Sequence, residues 1–192
     1  MSYLPTFLKL DNKKILIIGG GFIAYKRLKY LLDFTKDIYV IANNFRDDMQ
    51  TELQDQKICF ECRNYMLGDI KNFDIIVVAI DDINLQKEIY LESKAYKCLC
   101  NFVDLVECCD FIFPSYIKNG DLTIAISTSA SSPSIAKYLK KYITTLIPRN
   151  ISSFLKEMKE LRISLPKGKT RMKILDKKAK DYISSEFLNQ SN

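Results

Sequence analysis

The stretch "KILIIGGGFIAYKRLKYLL", Lys14 to Leu32, passes from branched apolar residues through three glycines into a helical pattern. "KILIIG" (14–19) shows no polar alternation, so it reads as a strand buried on both faces. "AYKRLKYLLDF" (24–34) sets Ala24, Leu28, Leu31 and Leu32 at helical spacing. The chain holds six glycines, and three of them are Gly19, Gly20 and Gly21. A chain so poor in glycine needs a backbone reason to cluster them. Gly19 to Ala24 matches G-x-G-x-x-A. In that motif Gly19 allows a tight turn, Gly21 lets a pyrophosphate approach the backbone, and Ala24 lets the helix pack close to the strand. The helix N-terminus then faces the phosphates. The match follows a strand, opens a helix and heads a βαβ unit. It therefore points to dinucleotide binding, with a purely structural turn as the alternative.

The same alternation continues. "DIYVIA" (37–42), "KICFECR" (57–63), "FDIIVVAI" (73–80) and "CLCNFVD" (98–104) read as further strands. "FRDDMQTELQDQ" (45–56) and "NLQKEIYLESKAY" (84–96) read as helices. Strands separated by helices imply right-handed βαβ units: an α/β, Rossmann-like parallel sheet with helices on both faces, over 1–112. The pattern then changes. "DFIFPSYIKNGDLTIAIST" (110–128) reads as a hairpin turning at Asn119-Gly120. Pro133 opens "SIAKYLKKYITTLI", and Pro148 closes it. Two more helices are expected at 150–165 and 170–188. The expected divisions are 1–112, 113–148 and 149–192.

The composition removes several chemistries. The chain has 192 residues and no histidine, which excludes Ser-His-Asp and Cys-His catalysis and histidine metal sites. Proton transfer must use a carboxylate, Lys, Tyr or Cys. The six cysteines suit reduced thiols in a chain whose N-terminus lacks a secretory pattern. Cys59 and Cys62 form C-x-x-C without a second pair, and on a strand they point to opposite faces. Cys98 and Cys100 share a face and suit a core, and no metal site is expected. No apolar run reaches the roughly 18 residues of a membrane span, so the expected location is the cytoplasm. The net charge of +6 falls wholly in 149–192, which carry 11 Lys+Arg against 5 Asp+Glu. That excess suits a solvated helical face or a polyanionic ligand. No nucleic-acid motif accompanies it, and nucleic acid is not expected as a partner.

A strand that ends on Asp or Glu would bind the ribose of NAD. Here the second strand ends "Ala42-Asn43-Asn44". Asn43 or Asn44 offers an uncharged ribose contact, while Arg46 suits a 2′-phosphate, so both NAD and NADP remain open. Asp81 or Asp82 can cap the next helix, with Asn84 a further candidate, or can meet a ligand at the C-terminal sheet edge. Asp104 ends "NFVD" at that same edge. In a chain without histidine it is the leading candidate for acid–base work.

Read together, "LPTFLKL", "ILIIGGGFIAYKR", "AIDD", "CNFVD", "DFIFPS", "LTIAIST" and "SPSIAKYLKKYI" resemble the siroheme synthase N-terminal family. Its members are precorrin-2 dehydrogenases, some of them also sirohydrochlorin ferrochelatases. The resemblance runs from about Leu4 to Pro148. It implies NAD as cofactor and oxidation of the tetrapyrrole precorrin-2 to sirohydrochlorin, with ferrous iron as a further substrate in some members. It implies NAD contacts at Phe22, Ile23, Asn43 and Asn44, beside the glycines and Asp81, and a catalytic aspartate at Asp104. Asn101, Ser115 and Thr128 match positions that line the tetrapyrrole cleft, with Thr where Ser is common. Ile80 replaces the family's Thr before the paired aspartates. The resemblance also implies a homodimer, with a small α+β dimerisation region at 113–148, and it fits the basic helical region at 149–192 more loosely. Lys137, Lys140, Lys141 and Arg149 are candidates to meet the substrate's carboxylates. The rival expectation is a Rossmann module that senses NAD(H) and performs no chemistry.

Overall fold

The computed structural model describes residues 3–129 and 131–188. It divides into two compact units, Tyr3–Ile112 and the residues from Phe113 onward.

The first unit alternates strands and helices: β1 (Ile15–Ile18), α1 (Phe22–Leu32), β2 (Ile38–Ala42), α2 (Asp47–Asp55), β3 (Cys59–Cys62), β4 (Ile75–Val78), α3 (Ile83–Tyr96) and β5 (Leu99–Phe102). The strands form one parallel sheet in the order β3-β2-β1-β4-β5. The chain steps outward from β1 to β3, then returns to β4 and β5 on the other side. Right-handed crossovers therefore put α1 and α2 on one face and α3 on the opposite face. A Lys29–Glu52 ion pair at 2.9 Å joins α1 to α2. On the α3 face, Leu16, Ile18, Ile41, Ile76, Val78, Cys100 and Phe102 pack with Ile89. Ile15, Ile17, Val40 and Val77 alternate to the other face, where Ala24, Leu28, Met49 and Leu53 are buried. All four β1 residues are buried, as expected of a central strand. Each such side chain contributes roughly 1.5–3 kcal/mol relative to exposure.

Three ties set the sheet's ends. At the N-terminal edge, Asp74 accepts from Lys13 Nζ at 2.7 Å and from the Lys14 amide at 2.9 Å, locking the start of β4 to that of β1. At the C-terminal edge the glycine turn is packed tightly. Gly19 has φ +127°, and a Cβ there would lie 2.2 Å from the Ala79 carbonyl oxygen. A Cβ on Gly20 would lie 2.1 Å from the Asn44 carbonyl oxygen, whereas one on Gly21 would meet nothing within 4 Å. The third tie lies along the open side of β5. The Cys109 thiol accepts from the Phe102 amide and donates to the Phe102 carbonyl, both at 3.2 Å. Asp110 exchanges bonds with Cys100, its amide to the Cys100 carbonyl at 2.8 Å and its carboxylate from the Cys100 amide at 2.9 Å. Burial pushes the Cys109 thiol's pKa up, which keeps the proton it donates. These side chains occupy an edge that would otherwise invite another strand.

The second unit begins with the antiparallel hairpin β6 (Ser115–Asn119) and β7 (Leu122–Ile126). Asn119 pairs with Leu122, so the turn residues are Gly120 and Asp121 rather than the expected Asn119-Gly120. Gly120, at φ +59°, takes the first central position that glycine favours in a II′ turn. The helices α4 (Pro133–Leu146), α5 (Ile151–Ser164) and α6 (Lys169–Ile183) follow, and α6 ends in a wider turn over Ser184–Leu188. The Phe154 and Tyr182 rings stack at 3.8 Å, and Tyr182 Oη donates to Asn150 Oδ1 at 2.7 Å. The hairpin and all three helices lie in one unit.

Gly19→Ala should lower stability by about 2 kcal/mol or more, because it combines a positive φ with a backbone clash. Gly21→Ala should leave the urea midpoint nearly unchanged, and paired denaturation curves check both. Lys13 and the Lys14 amide hold the Asp74 carboxyl below its ordinary pKa. The stability it supplies is therefore complete above its unfolded value, near 4, and is lost as pH falls through the folded value. Asp74→Asn should flatten stability against pH in that acid window, measured by thermal melts.

Candidate functional site

In an open sheet of this order, ligands bind outside the carboxyl ends of the strands, where the winding reverses between β1 and β4. Here that point is occupied by the glycine turn and the exit of β4. Gly19 and Gly20 are buried spacers, their backbones pressed against the exits of β4 and β2. The Gly19 amide donates to the Ile41 carbonyl at 2.9 Å, and the Arg46 amide donates to the Gly20 carbonyl at 3.0 Å. Gly21 is the N-cap of α1. No side chain caps this helix, and its first turn holds no acidic residue. The protein thus leaves open space over Gly21 beside uncapped helix amides. A pyrophosphate fits that cradle, and a side chain at Gly21 would fill it.

Phe22 and Ile23 follow on α1, 54% and 43% exposed. Lys26 Nζ stands 4.1 Å from the centre of the Phe22 ring, and the Arg46 guanidinium stands 5.4 Å from it. Two cations therefore flank the mouth of the turn. Arg46 is itself engaged: its guanidinium binds both oxygens of Asp48 at 3.0 and 2.9 Å, and it holds the Asp48 carboxyl below its usual range. Asn43 and Asn44 are exposed just past β2, with the Cys62 thiol donating to the Asn43 carbonyl at 3.3 Å. No acidic side chain stands at those two positions.

Beyond β4, Asp82 is the cap of α3, accepting from the amides of Asn84 and Leu85 at 2.9 and 3.0 Å. Asp81 is exposed and does not cap. Asp104 is exposed just past β5, on the α3 side of the sheet. Its Oδ2 accepts from Gln86 Nε2 at 3.2 Å, and the same nitrogen donates to the Ile80 carbonyl at 2.7 Å. Ile80 in turn packs near the turn, since a Cβ on Gly19 would lie 3.5 Å from its Cγ2. A continuous path thus runs from the glycine turn through Ile80 and Gln86 to Asp104.

Asn101 lies on the opposite face of β5 from Asp104. It is buried, with Nδ2 donating to the Phe111 carbonyl at 2.9 Å and Oδ1 without a hydrogen-bond partner. Ser115 opens β6, and Thr128 follows β7, both half-buried in the second unit. Thr128 Oγ1 accepts from the Ser132 amide at 3.2 Å and donates to the Ser132 carbonyl at 3.1 Å. Lys137, Lys140 and Lys141 are exposed on α4, and Lys140 Nζ stands 5.2 Å from the Tyr116 ring centre. Cys98 and Cys100 are buried free thiols, while Cys59 and Cys62 are exposed free thiols. Among the described residues no group of three or more Cys, Asp and Glu gathers to hold a metal ion. Gln86 is the site residue that sequence reasoning missed. The available signal was a polar residue on the face of α3 where Ile89 and Ser93 are buried.

Comparison with known proteins adds to this geometry. The chain is 32% identical over 151 residues to a siroheme synthase of Pseudoalteromonas translucida (strain TAC 125), covering 79% of this chain and 32% of that one. It is 30% identical over 167 residues to a siroheme synthase of Buchnera aphidicola subsp. Acyrthosiphon pisum, covering 87% and 35%. The chain spans about a third of the length of these curated relatives. The solved structure of "SirC, precorrin-2 dehydrogenase" shares the fold, with a TM-score of 0.78 and 23% identity over 98% of this chain and 95% of that one. The family described as "Putative NAD(P)-binding" matches residues 6–115, which span the whole parallel sheet, the glycine turn and Asp104. The chain belongs to this NAD(P)-binding family.

Proposed function

We propose that this protein is a precorrin-2 dehydrogenase that uses NAD and releases sirohydrochlorin. The observation that carries the proposal is an exposed carboxylate, Asp104, held by Gln86 on the sheet edge that also bears the open glycine cradle. The siroheme synthase relatives and the precorrin-2 dehydrogenase that shares the fold support the choice of substrate. The absence of histidine from the sequence leaves a carboxylate as the natural base.

The reaction removes two electrons and two hydrogens from the reduced macrocycle. When bound, NAD takes one hydrogen with both electrons, as hydride, at C4 of its nicotinamide. The second hydrogen leaves as a proton. Asp104 accepts it, directly or through water, and returns it to solvent. The uncapped amides of α1 and the backbone of Gly21 receive the pyrophosphate, Phe22 and Ile23 flank it, and Asn43 and Asn44 meet the ribose. Asp81, exposed past β4, belongs to this reading as a cofactor contact. Asn101, Ser115 and Thr128 belong to this reading as substrate contacts. Iron insertion into sirohydrochlorin stands as a second reaction on resemblance alone, with ferrous iron as substrate and Asp104 taking protons from the ring nitrogens.

We place the protein in the cytoplasm as a homodimer that assembles through residues 113–148. Exposed Ile135, Tyr138, Leu139, Tyr142 and Leu146 recur at helical spacing along α4, and such a stripe supports self-association. No helix among the described residues is long and apolar enough to cross a membrane.

Asp104→Asn should abolish NADH formation from precorrin-2 and NAD while leaving the Kd for NAD within a few-fold. Unchanged turnover would remove Asp104 from the chemistry, and NAD binding without any NADH formation by the unaltered chain would favour an NAD(H)-sensing module. Gly21→Val should fold normally yet weaken NAD binding about tenfold or more, because the valine side chain enters the pyrophosphate cradle. Isothermal titration checks this, and wild-type affinity in the folded variant would refute it. Iron uptake by sirohydrochlorin, followed without NAD, tests the second reaction separately.

A further inference from the structure

We propose that Gln86 is the positioning residue for Asp104: its side-chain amide selects which carboxylate oxygen takes the proton. This inference rests on the dehydrogenase reading and adds a residue that neither the sequence motifs nor the comparisons assign.

Gln86 lies in the first turns of α3 and is completely buried, 0% exposed. Its Nε2 spends one proton on the Ile80 carbonyl at 2.7 Å and points toward Asp104 Oδ2 at 3.2 Å. Both partners are acceptors. Turning the amide over would bring Oε1 against two oxygens with no hydrogen between them, so the chemistry of the partners fixes the orientation. Ile80 lies just past β4, next to the Ala79 carbonyl that the glycine turn packs against. The amide therefore references the Asp104 carboxylate to the same strand exit that positions the turn. Any displacement of that exit moves both halves of the site together.

The bond leaves Oδ1 as the oxygen of Asp104 with no hydrogen bond among the described residues. Oδ1 is thus presented for the incoming proton, while Oδ2 stays an acceptor. Once Oδ1 is protonated, Oδ2 is the carbonyl oxygen of the acid and still accepts from Gln86. One donor therefore holds the side chain in both protonation states of the cycle. A bare exposed aspartate has no such restraint, and misplacing a reacting group by about 1 Å can cost about a hundredfold in rate.

Gln86 carries a cost that packing does not explain. Its Oε1 is buried without a hydrogen-bond partner. An orphaned buried acceptor is unfavourable by about 1–3 kcal/mol. An apolar residue of similar size would avoid that, so the amide has a role other than filling the core.

The test uses the full chain with Gln86→Leu, of like volume, and Asp104→Asn as reference. Gln86→Leu should keep its melting temperature within a few degrees and its Kd for NAD within about threefold. Its kcat for precorrin-2 oxidation should fall about 10- to 100-fold, with KM for precorrin-2 within about threefold. The second readout needs no turnover. In cofactor-free protein labelled with 13C-carboxyl aspartate, the infrared carboxylate band missing from Asp104→Asn belongs to Asp104. That band should shift in Gln86→Leu because one hydrogen bond is gone. An inactive Asp104→Asn beside a Gln86→Leu with wild-type kcat and an unshifted band overturns the inference and leaves the dehydrogenase reading intact. Wild-type turnover in Asp104→Asn instead removes Asp104 from the chemistry and, with it, the role given to Gln86, whereas no NADH formation by the unaltered chain overturns the dehydrogenase reading itself. Should Gln86→Leu fold poorly, Gln86→Met keeps the length without the donor and is read by the same two measures.

Discussion

The exit of β1 runs so close to the exit of β4 that no side chain fits between them. A Cβ at Gly19 would stand 2.2 Å from the Ala79 carbonyl oxygen, and the backbone there adopts φ +127°. Much of the first unit's C-terminal edge follows from this contact. It lets the chain turn at once from a central strand into α1, so the helix starts beside the sheet. Gly20 repeats the constraint against the exit of β2. Gly21, freed from both, becomes the one position of the three whose lack of a side chain serves space rather than packing. The three glycines look alike in sequence, but they answer three different demands.

The polar groups near this edge are arranged by who can donate. Gln86 supplies hydrogens to a carbonyl and a carboxylate, and Cys109 both accepts and donates along β5. Buried Oε1 of Gln86 and Oδ1 of Asn101 remain without partners. Such groups cost stability that the apolar core must offset, and natural proteins tolerate them chiefly where function needs a defined polar arrangement. The buried Ile17, Ile18, Val77 and Val78, at the C-terminal ends of β1 and β4, are next to this edge and contribute to that offset.

The order of strands and helices was legible because each element carries its own period. Ile15–Ile18 and Ile75–Val78 are continuous apolar runs, and α1 keeps Ala24, Leu28 and Leu31 on one side. The glycine turn was legible as a motif, but the separate job of each glycine was not, because that depends on carbonyls distant in the chain. The hairpin turns one residue later than its Asn-Gly dipeptide suggests: Asn119 remains in register with Leu122, a pairing set by strand alignment. Asp104 was legible as an edge carboxylate. Its partner Gln86 was not, since only the fold brings two residues eighteen positions apart into contact. Arg46 reads in sequence as a free phosphate contact, yet it is bound by Asp48 two residues on, a local pairing that residue type alone does not declare.

The return of the chain along β5 has a mechanical consequence. Phe102 is gripped by Cys109 and Cys100 by Asp110, so the short arch that carries Asp104 has both feet planted on a single strand. An arch held in this way cannot lengthen its span without breaking a thiol or carboxylate contact. Its ordering entropy is lost during folding, so little remains to be lost when a ligand arrives. The carboxylate is therefore carried on a loop whose two ends are tied to one strand before anything reaches the edge.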